Sequence, residues 1–268
     1  LTVGRPPFFN DPGTMPLRQY LEIIVFKAWA DLQSERQRTY LGFLWWIFEP
    51  IMYMAVMWFV FNDLLKTRTE SFALFLLIGL IIWQWFKSCV SHGAVAVLQA
   101  NSLIQMVPLP PVVFPLVYIL TDSFKFVFIL AIFLVMLLLL GHAQSIHLLA
   151  LPAVLFAELA LICAVTIWLA AIIPFVPDLR FVTENLLLAL MFLSGIFYDL
   201  SIIPPGLRDY FYLNPAAFII REARVVLLDG QWPDFAGLAL LSLICLLVAV
   251  AGGLLLHRLR GHYPKLPL

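Results

Sequence analysis

Charge is scarce in this 268-residue chain: Asp, Glu, Lys and Arg supply 12% of it, where a soluble domain carries roughly 25%. With 63% of residues hydrophobic, water is excluded as the main solvent. The formal net charge is zero, so there is no basic face for nucleic acid. Cys89, Cys163 and Cys245 sit in apolar runs without paired spacing, which excludes a disulfide framework and a cysteine metal site. The chain has no GxxxxGK[ST] phosphate loop and no HExxH, GxSxG or CxxC. It is therefore expected to hold no metal or cofactor and to draw energy from another chain or an ion gradient. The three-part pattern of a cleavable signal is also missing: Arg5, Pro6, Pro7 and Asp11 precede the first long apolar run, so the first span is expected to insert and remain.

What is present is long apolar runs. A bilayer core about 30 Å thick needs around 20 apolar residues per helix. Spans are expected at 41–65, 72–98, 112–140 and 148–173, at a fifth position from Asn185, and at 235–256. The fifth meets Gly195, Tyr198, Asp199, Pro204 and Pro205 too soon for a full crossing, so it reads as broken or re-entrant. Before the first span, a helix from about Thr14 or Pro16 to Thr39 mixes Leu17, Leu21, Ile24 and Trp29 with Arg18, Lys27, Asp31, Glu35, Arg36 and Arg38, a pattern suited to the membrane surface. Residues 99–111, with Asn101, Ser102, Leu103, Ile104 and Gln105 before Pro108, Pro110 and Pro111, read as an ordered loop outside the core. The chain is thus one all-α, polytopic membrane domain over 1–268: tail and amphipathic interface helix in 1–40, six transmembrane helices in 41–257, tail in 258–268.

Six crossings put both termini on one side. With that side cytoplasmic, nine cations lie inside (Arg5, Arg18, Lys27, Arg36, Arg38, Arg180, Arg258, Arg260, Lys265) against five outside (Lys66, Arg68, Arg208, Arg221, Arg224). Lys87 and Lys125 fall within spans, where each either pairs with an acid such as Asp122, snorkels to the interface or meets substrate. Glu49 marks either a kink beside Pro50 near the headgroups or a functional group facing protein or water. Glu158 is an isolated carboxylate. Aromatics crowd the first two spans: Phe43, Trp45, Trp46, Phe48, Tyr53, Trp58 and Phe59, then Trp83, Trp85 and Phe86. An interfacial belt accounts for Trp45, Trp46 and Trp58; Trp83 and Trp85 lie too deep for it and either pack helices or face a path.

The stretch Arg38-Thr-Tyr-Leu-Gly-Phe-Leu-Trp-Trp-Ile-Phe-Glu-Pro50 resembles the start of the first span in ABC-2-type polysaccharide exporter permeases, with the Glu-Pro form most similar to capsule and O-antigen exporters. Gly195-Ile-Phe-Tyr-Asp-Leu-Ser-Ile-Ile-Pro204 and Tyr212-Leu-Asn-Pro215 with Arg221 resemble that family's broken fifth span and its extracytoplasmic re-entrant helices. The resemblance runs the length of the chain and departs at Val176-Pro177-Asp178. It implies a homodimer in the bacterial inner membrane, multi-pass, with two ABC ATPase subunits that hold ATP and magnesium. It implies a polyprenyl-linked glycan, O-antigen or capsule, as cargo, moving by a transport subunit that is not itself an enzyme. The expected substrate path is Trp45, Trp46, Phe48, Glu49, Tyr53, Trp58, Trp83, Trp85 and Phe86. Coupling to the ATPase falls to residues 101–105, Asp178 and Arg180, and an outer gate to Gly195, Tyr198, Pro204, Tyr212, Asn214 and Arg221. Alternatives are an ABC permease for a drug, a lipid or teichoic acid, a membrane enzyme acting on polyprenyl phosphate, and a scaffold without transport.

Overall fold

A computed structural model of the chain describes residues 17–38, 44, 48, 51–52, 55–56, 59, 72–100, 104, 109–139, 146–198, 206, 211 and 213–263. No strand occurs among them. The first helix, α1 (Leu17–Arg38), carries Arg18–Glu22 and Lys27–Asp31 ion pairs one turn apart, at 2.9 and 3.1 Å, which support a solvated helix. Its Ile24 and Ala28 bury against Val113 and Val117 of α4 (Val113–Leu139). Leu21, Val25 and Trp29 remain exposed beside that strip, an apolar sector wider than the protein covers, as a membrane-surface helix requires. The end of the bundle where α1 sits is called the near end.

Helix α2 (Phe72–Ala94) breaks at Val95 and resumes as the single turn α3 (Ala96–Gln99). Pro110 and Pro111 then lead into α4, where Pro115 falls in the first turn, whose N–H groups lack helical acceptors in any case. A 3-10 turn, Ile146–Ala150, leads into α5 (Leu151–Ile172), and Pro174 and Pro177 follow its end. Next come α6 (Leu179–Leu193), α7 (Pro215–Leu227) and α8 (Phe235–Leu259). The last two start on side-chain caps: Asn214 accepts from Ala216 N–H and Asp234 from Gly237 N–H.

Close approach at glycine fixes the centre of the bundle. A Cβ on Gly93 of α2 would collide with Thr166 of α5, and one on Gly252 of α8 would come within 2.9 Å of the Trp168 ring of α5. The Trp168 Nε1 donates to Val248 carbonyl of α8 at 2.8 Å. Just beyond α8, Tyr263 donates its hydroxyl to Ala171 carbonyl at 3.2 Å, and burial pushes that phenol up to about 12, so it serves as a neutral donor.

Among the described residues, four helices are long and apolar enough to cross a membrane: Leu74–Ala94, Val113–Leu139, Ile146–Ile172 and Phe235–Leu259. They match the expected second, third, fourth and sixth spans. Of the expected first span only isolated positions are described; Leu44, Phe48, Ile51, Met52, Ala55 and Val56 are helical, and the remainder lies outside the described residues. The expected fifth span starts at Leu179, earlier than Asn185, because the chain re-enters a helix directly after Pro177 and Asp178; Arg180 is in its first turn, outside the loop assigned to it. At 15 residues it reaches about 22 Å, short of a bilayer core of about 30 Å. The segment 201–234, read as lacking a span, contains α7, whose inner face is buried against α2 and α5.

Candidate functional site

Where α6 stops, its last carbonyls lack intrahelical donors, and side chains supply them. Gly195 turns the chain at a φ of 66°, a conformation that glycine adopts without penalty. Ser194 Oγ donates to Leu190 carbonyl at 2.6 Å and Tyr198 Oη to Phe192 carbonyl at 2.9 Å. Asn214 Nδ2 reaches back to Leu193 carbonyl at 3.3 Å and Ser194 Oγ at 3.0 Å. Arg224 completes the set: Nη1 donates to Gly195 carbonyl at 2.8 Å, Nη2 to Ile196 carbonyl at 3.0 Å and Nε to Phe75 carbonyl of α2 at 3.1 Å.

Of the expected outer-gate residues, the structure thus brings Gly195, Tyr198 and Asn214 together. Arg221 is not among them: it is exposed, with Nε 3.5 Å from Glu222 Oε1. Pro204 and Tyr212 lie outside the described residues. Arg224 was missed. The signal for it was present, since Ile220, Arg224 and Leu227 follow one another at helical spacing on the apolar stripe of α7, whereas Arg221 lies off it. Glu222, also buried, accepts Asp234 N–H at 2.8 Å and ties α7 to the start of α8.

The aromatics of α2 point into the chain. Trp83, Trp85 and Phe86 are 2%, 6% and 4% exposed. Trp85 stacks on Phe126 of α4 with centroids 4.1 Å apart and planes at 8°, and its Nε1 donates to Ser123 Oγ at 3.0 Å. Trp83 lies 5.4 Å from Phe86. In this conformation the three rings pack helices together. Phe48 is exposed; Trp45, Trp46, Glu49, Tyr53 and Trp58 lie outside the described residues.

A polar cluster joins α2 to α4 toward the near end. His92 Nδ1 lies 2.7 Å from Asp122 Oδ2, and Lys125 Nζ lies 3.4 Å from Asp122 Oδ1. The Asp122 side chain is 3% exposed and that of His92 53%. Pairing is therefore the role observed for Lys125. Tyr118 sits one turn away and donates to Gln99 Oε1 at 3.2 Å. Spacing offered the Asp122–Lys125 pair, three positions apart, but not His92, which is 30 positions from Asp122. Glu158 is fully buried, and its Oε2 has no hydrogen-bond partner among the described residues.

Among the expected coupling residues, Ile104 packs against the main core and is helical, its N–H donating to Ala100 carbonyl at 2.9 Å. Asn101, Ser102, Leu103 and Gln105 lie outside the described residues. Asp178 and Arg180 are exposed where α6 begins, and the Arg180 guanidinium lies 4.5 Å over the Phe181 ring.

Residues 24–228, from the middle of α1 to just past α7, match the ABC-2 type transporter family. The chain is similar to the O-antigen export system permease protein RfbA of Myxococcus xanthus, at 26% identity over 251 residues covering 93% of this chain and 96% of the relative. It is similar to the protein of that name from Klebsiella pneumoniae, at 22% identity over 91% of this chain and 95% of the relative. A third relative is the polysialic acid transport protein KpsM of Escherichia coli, at 26% identity over 82% of this chain and 86% of the relative. With well over half its length matched and a set of membrane-length helices, the chain belongs to the ABC-2 type transporter family.

Proposed function

We propose that the chain is the transmembrane subunit of an ABC exporter that moves a polyprenyl-linked polysaccharide, of O-antigen or capsule type, across the bacterial inner membrane. The observation that carries this reading is the end-to-end similarity to O-antigen export permeases, over nine-tenths of both chains. Two copies of the chain form the membrane part, and two separate ATPase subunits bind ATP and magnesium at the near end. Both termini are cytoplasmic. The burial of Arg224 supports that orientation, since it removes one cation from the outer flanks and leaves four against nine.

Six crossings per chain comprise the four long helices, a first span over 41–65, and α6 with the re-entrant α7 as a broken fifth. Closure of the ATPases pushes α1 and the 99–108 segment, with Ile104, Asp178 and Arg180 as contacts, and this motion opens the path. The aromatics of the first span, with Phe48 and Tyr53 foremost, hold sugar rings by stacking against their C–H faces. Trp83, Trp85 and Phe86 join that path only when α2 and α4 separate. Gly195, Tyr198, Asn214 and Arg224 form the outer gate.

The test is export in cells lacking the chain. Lipid-linked glycan should accumulate inside, and surface glycan should return when the chain is supplied together with its partner ATPase. Copurification of the two is expected. ATP hydrolysis by the purified chain alone, or surface glycan in its absence, contradicts the proposal.

A further inference from the structure

The residues that α2 leaves uncovered are selective. Between Leu76 and Ala94 every apolar side chain is buried, and the positions that are not buried are Gln84, Lys87, Ser88, Ser91 and His92; the Ser91 Oγ itself is buried, which leaves Gln84, Lys87, Ser88 and His92 to define the uncovered face. Their spacing places them along one side of the helix. The other long helices do the reverse: α4 exposes Phe124, Val127 and Leu138, and α8 exposes Leu243, Leu247 and Val250. Hydrocarbon offers polar groups no partners, so the outward face of a lipid-contacting helix is apolar, as in α4 and α8. The uncovered side of α2 has the composition of a surface that meets water.

Its charge has a sign. Lys87 and His92 lie on this side, and Lys125 adjoins it across Asp122. The Asp122 carboxylate is buried and engaged by both His92 and Lys125, so the accessible charge is cationic. Lys27 and Asp31 of α1, near Tyr118, pair with each other and add no net charge.

We propose that the side of α2 from Gln84 to His92 lines a water-filled passage through the near-end half of the membrane, and that its positive potential draws in the phosphate group of the lipid-linked cargo. The identity of the cargo rests on the export reading above; the water and the potential do not. A phosphate-bearing head needs a hydrated, cationic channel to leave the near-end surface, and no other uncovered span face described here offers one.

The experiment uses the complete exporter in membranes. Gln84→Cys and Ser88→Cys are reacted with an anionic and a cationic methanethiosulfonate reagent, both of which need water to reach a thiol. The unsubstituted chain gives the background from its own cysteines, and Val127→Cys and Leu243→Cys serve as lipid-facing controls. The two α2 positions should react and the controls should not. Relative to a free thiol, the anionic reagent should be favoured, and Lys87→Gln should lower the anionic-to-cationic rate ratio on the order of tenfold, as expected for loss of one charge several Å away in water. Lys87→Arg should retain the ratio, which separates charge from misfolding. Membranes containing lipid-linked glycan should slow labelling at Ser88→Cys; equal slowing by phosphatidylglycerol vesicles without glycan would assign the phosphate to bilayer lipid and overturn the cargo assignment. If both α2 positions are as unreactive as Val127→Cys, there is no aqueous passage along α2, whatever the chain exports. If the labelling pattern holds but the chain restores no glycan export, the functional reading fails and the passage stands.

Discussion

Arg224 and Phe75 meet twice: the arginine Nε donates to the phenylalanine's backbone carbonyl at 3.1 Å, and its guanidinium lies 3.3 Å over the ring. The same guanidinium holds Gly195 and Ile196 carbonyls, so α7 is fastened at once to α2 and to the turn that ends α6. A planar fork with five donors suits three acceptors in fixed directions; an ammonium does not.

Arg224→Lys should therefore leave at least one buried carbonyl unsatisfied and destabilise the chain on the order of 3 kcal/mol. Thermal unfolding in detergent measures it. Arg221→Lys, at an exposed position on the same helix, should shift the midpoint little. Equal midpoints for the two variants would show that the fastening carries no stability.

Gly79 supplies the space for that arginine. A Cβ there would lie 2.6 Å from Arg224 Nη2, so Gly79→Ala should displace the guanidinium and destabilise through the same bonds. The double variant Gly79→Ala with Arg224→Lys should then cost clearly less than the sum of the two single changes. Additive costs would mean that Gly79 acts through some other contact.

Much of this was legible in the sequence, because long apolar runs and proline stops are local signals. The four membrane-length helices start and end near the expected positions for that reason. The end of α6 was legible from Gly195, but the side chains that satisfy its last carbonyls were not. Arg208, Arg221 and Arg224 read alike as loop cations until the apolar stripe of α7 is drawn, and the acceptors of Arg224 lie 28 to 149 positions away. The aromatics of α2 read two ways in the sequence, as helix packing or as a path. Composition marks a tryptophan as a stacking surface, but only packing reveals that Trp85 already spends its face on Phe126. The polar positions between them, Gln84, Lys87, Ser88 and Ser91, had helical spacing from the start.

The two groups of aromatics should separate by substitution. Trp85→Leu removes a buried stack and a hydrogen bond to Ser123, and should destabilise on the order of 2 kcal/mol with a proportionate fall in the amount of chain made. Phe48→Leu keeps apolar bulk at an exposed position and should leave the melting midpoint within about 0.5 kcal/mol while slowing glycan export. Normal export by a stable Phe48→Leu exporter would remove that ring from the path.

Coupling to the ATPase has two candidate surfaces at the near end, and they differ in what else they do. Ile104 faces its own core, so Ile104→Asp places a carboxylate against buried apolar side chains and should lower the melting midpoint as well as ATPase association. A loss of export in that variant alone would not identify a docking contact. Arg180 is exposed, and its one described contact beyond the backbone is the Phe181 ring at 4.5 Å, a surface cation–π pair worth about 0.5–1 kcal/mol. Arg180→Glu should therefore leave the fold nearly as stable as before while reversing the charge presented to the ATPase. The expected result is weaker copurification, or hydrolysis that continues while less glycan is exported per ATP. The ratio of export to hydrolysis is the decisive readout, because a general loss of protein lowers both together. If Arg180→Glu binds the ATPase normally and keeps the wild-type ratio, the start of α6 is not where the stroke enters the membrane subunit, and α1 and the 99–108 segment must carry it.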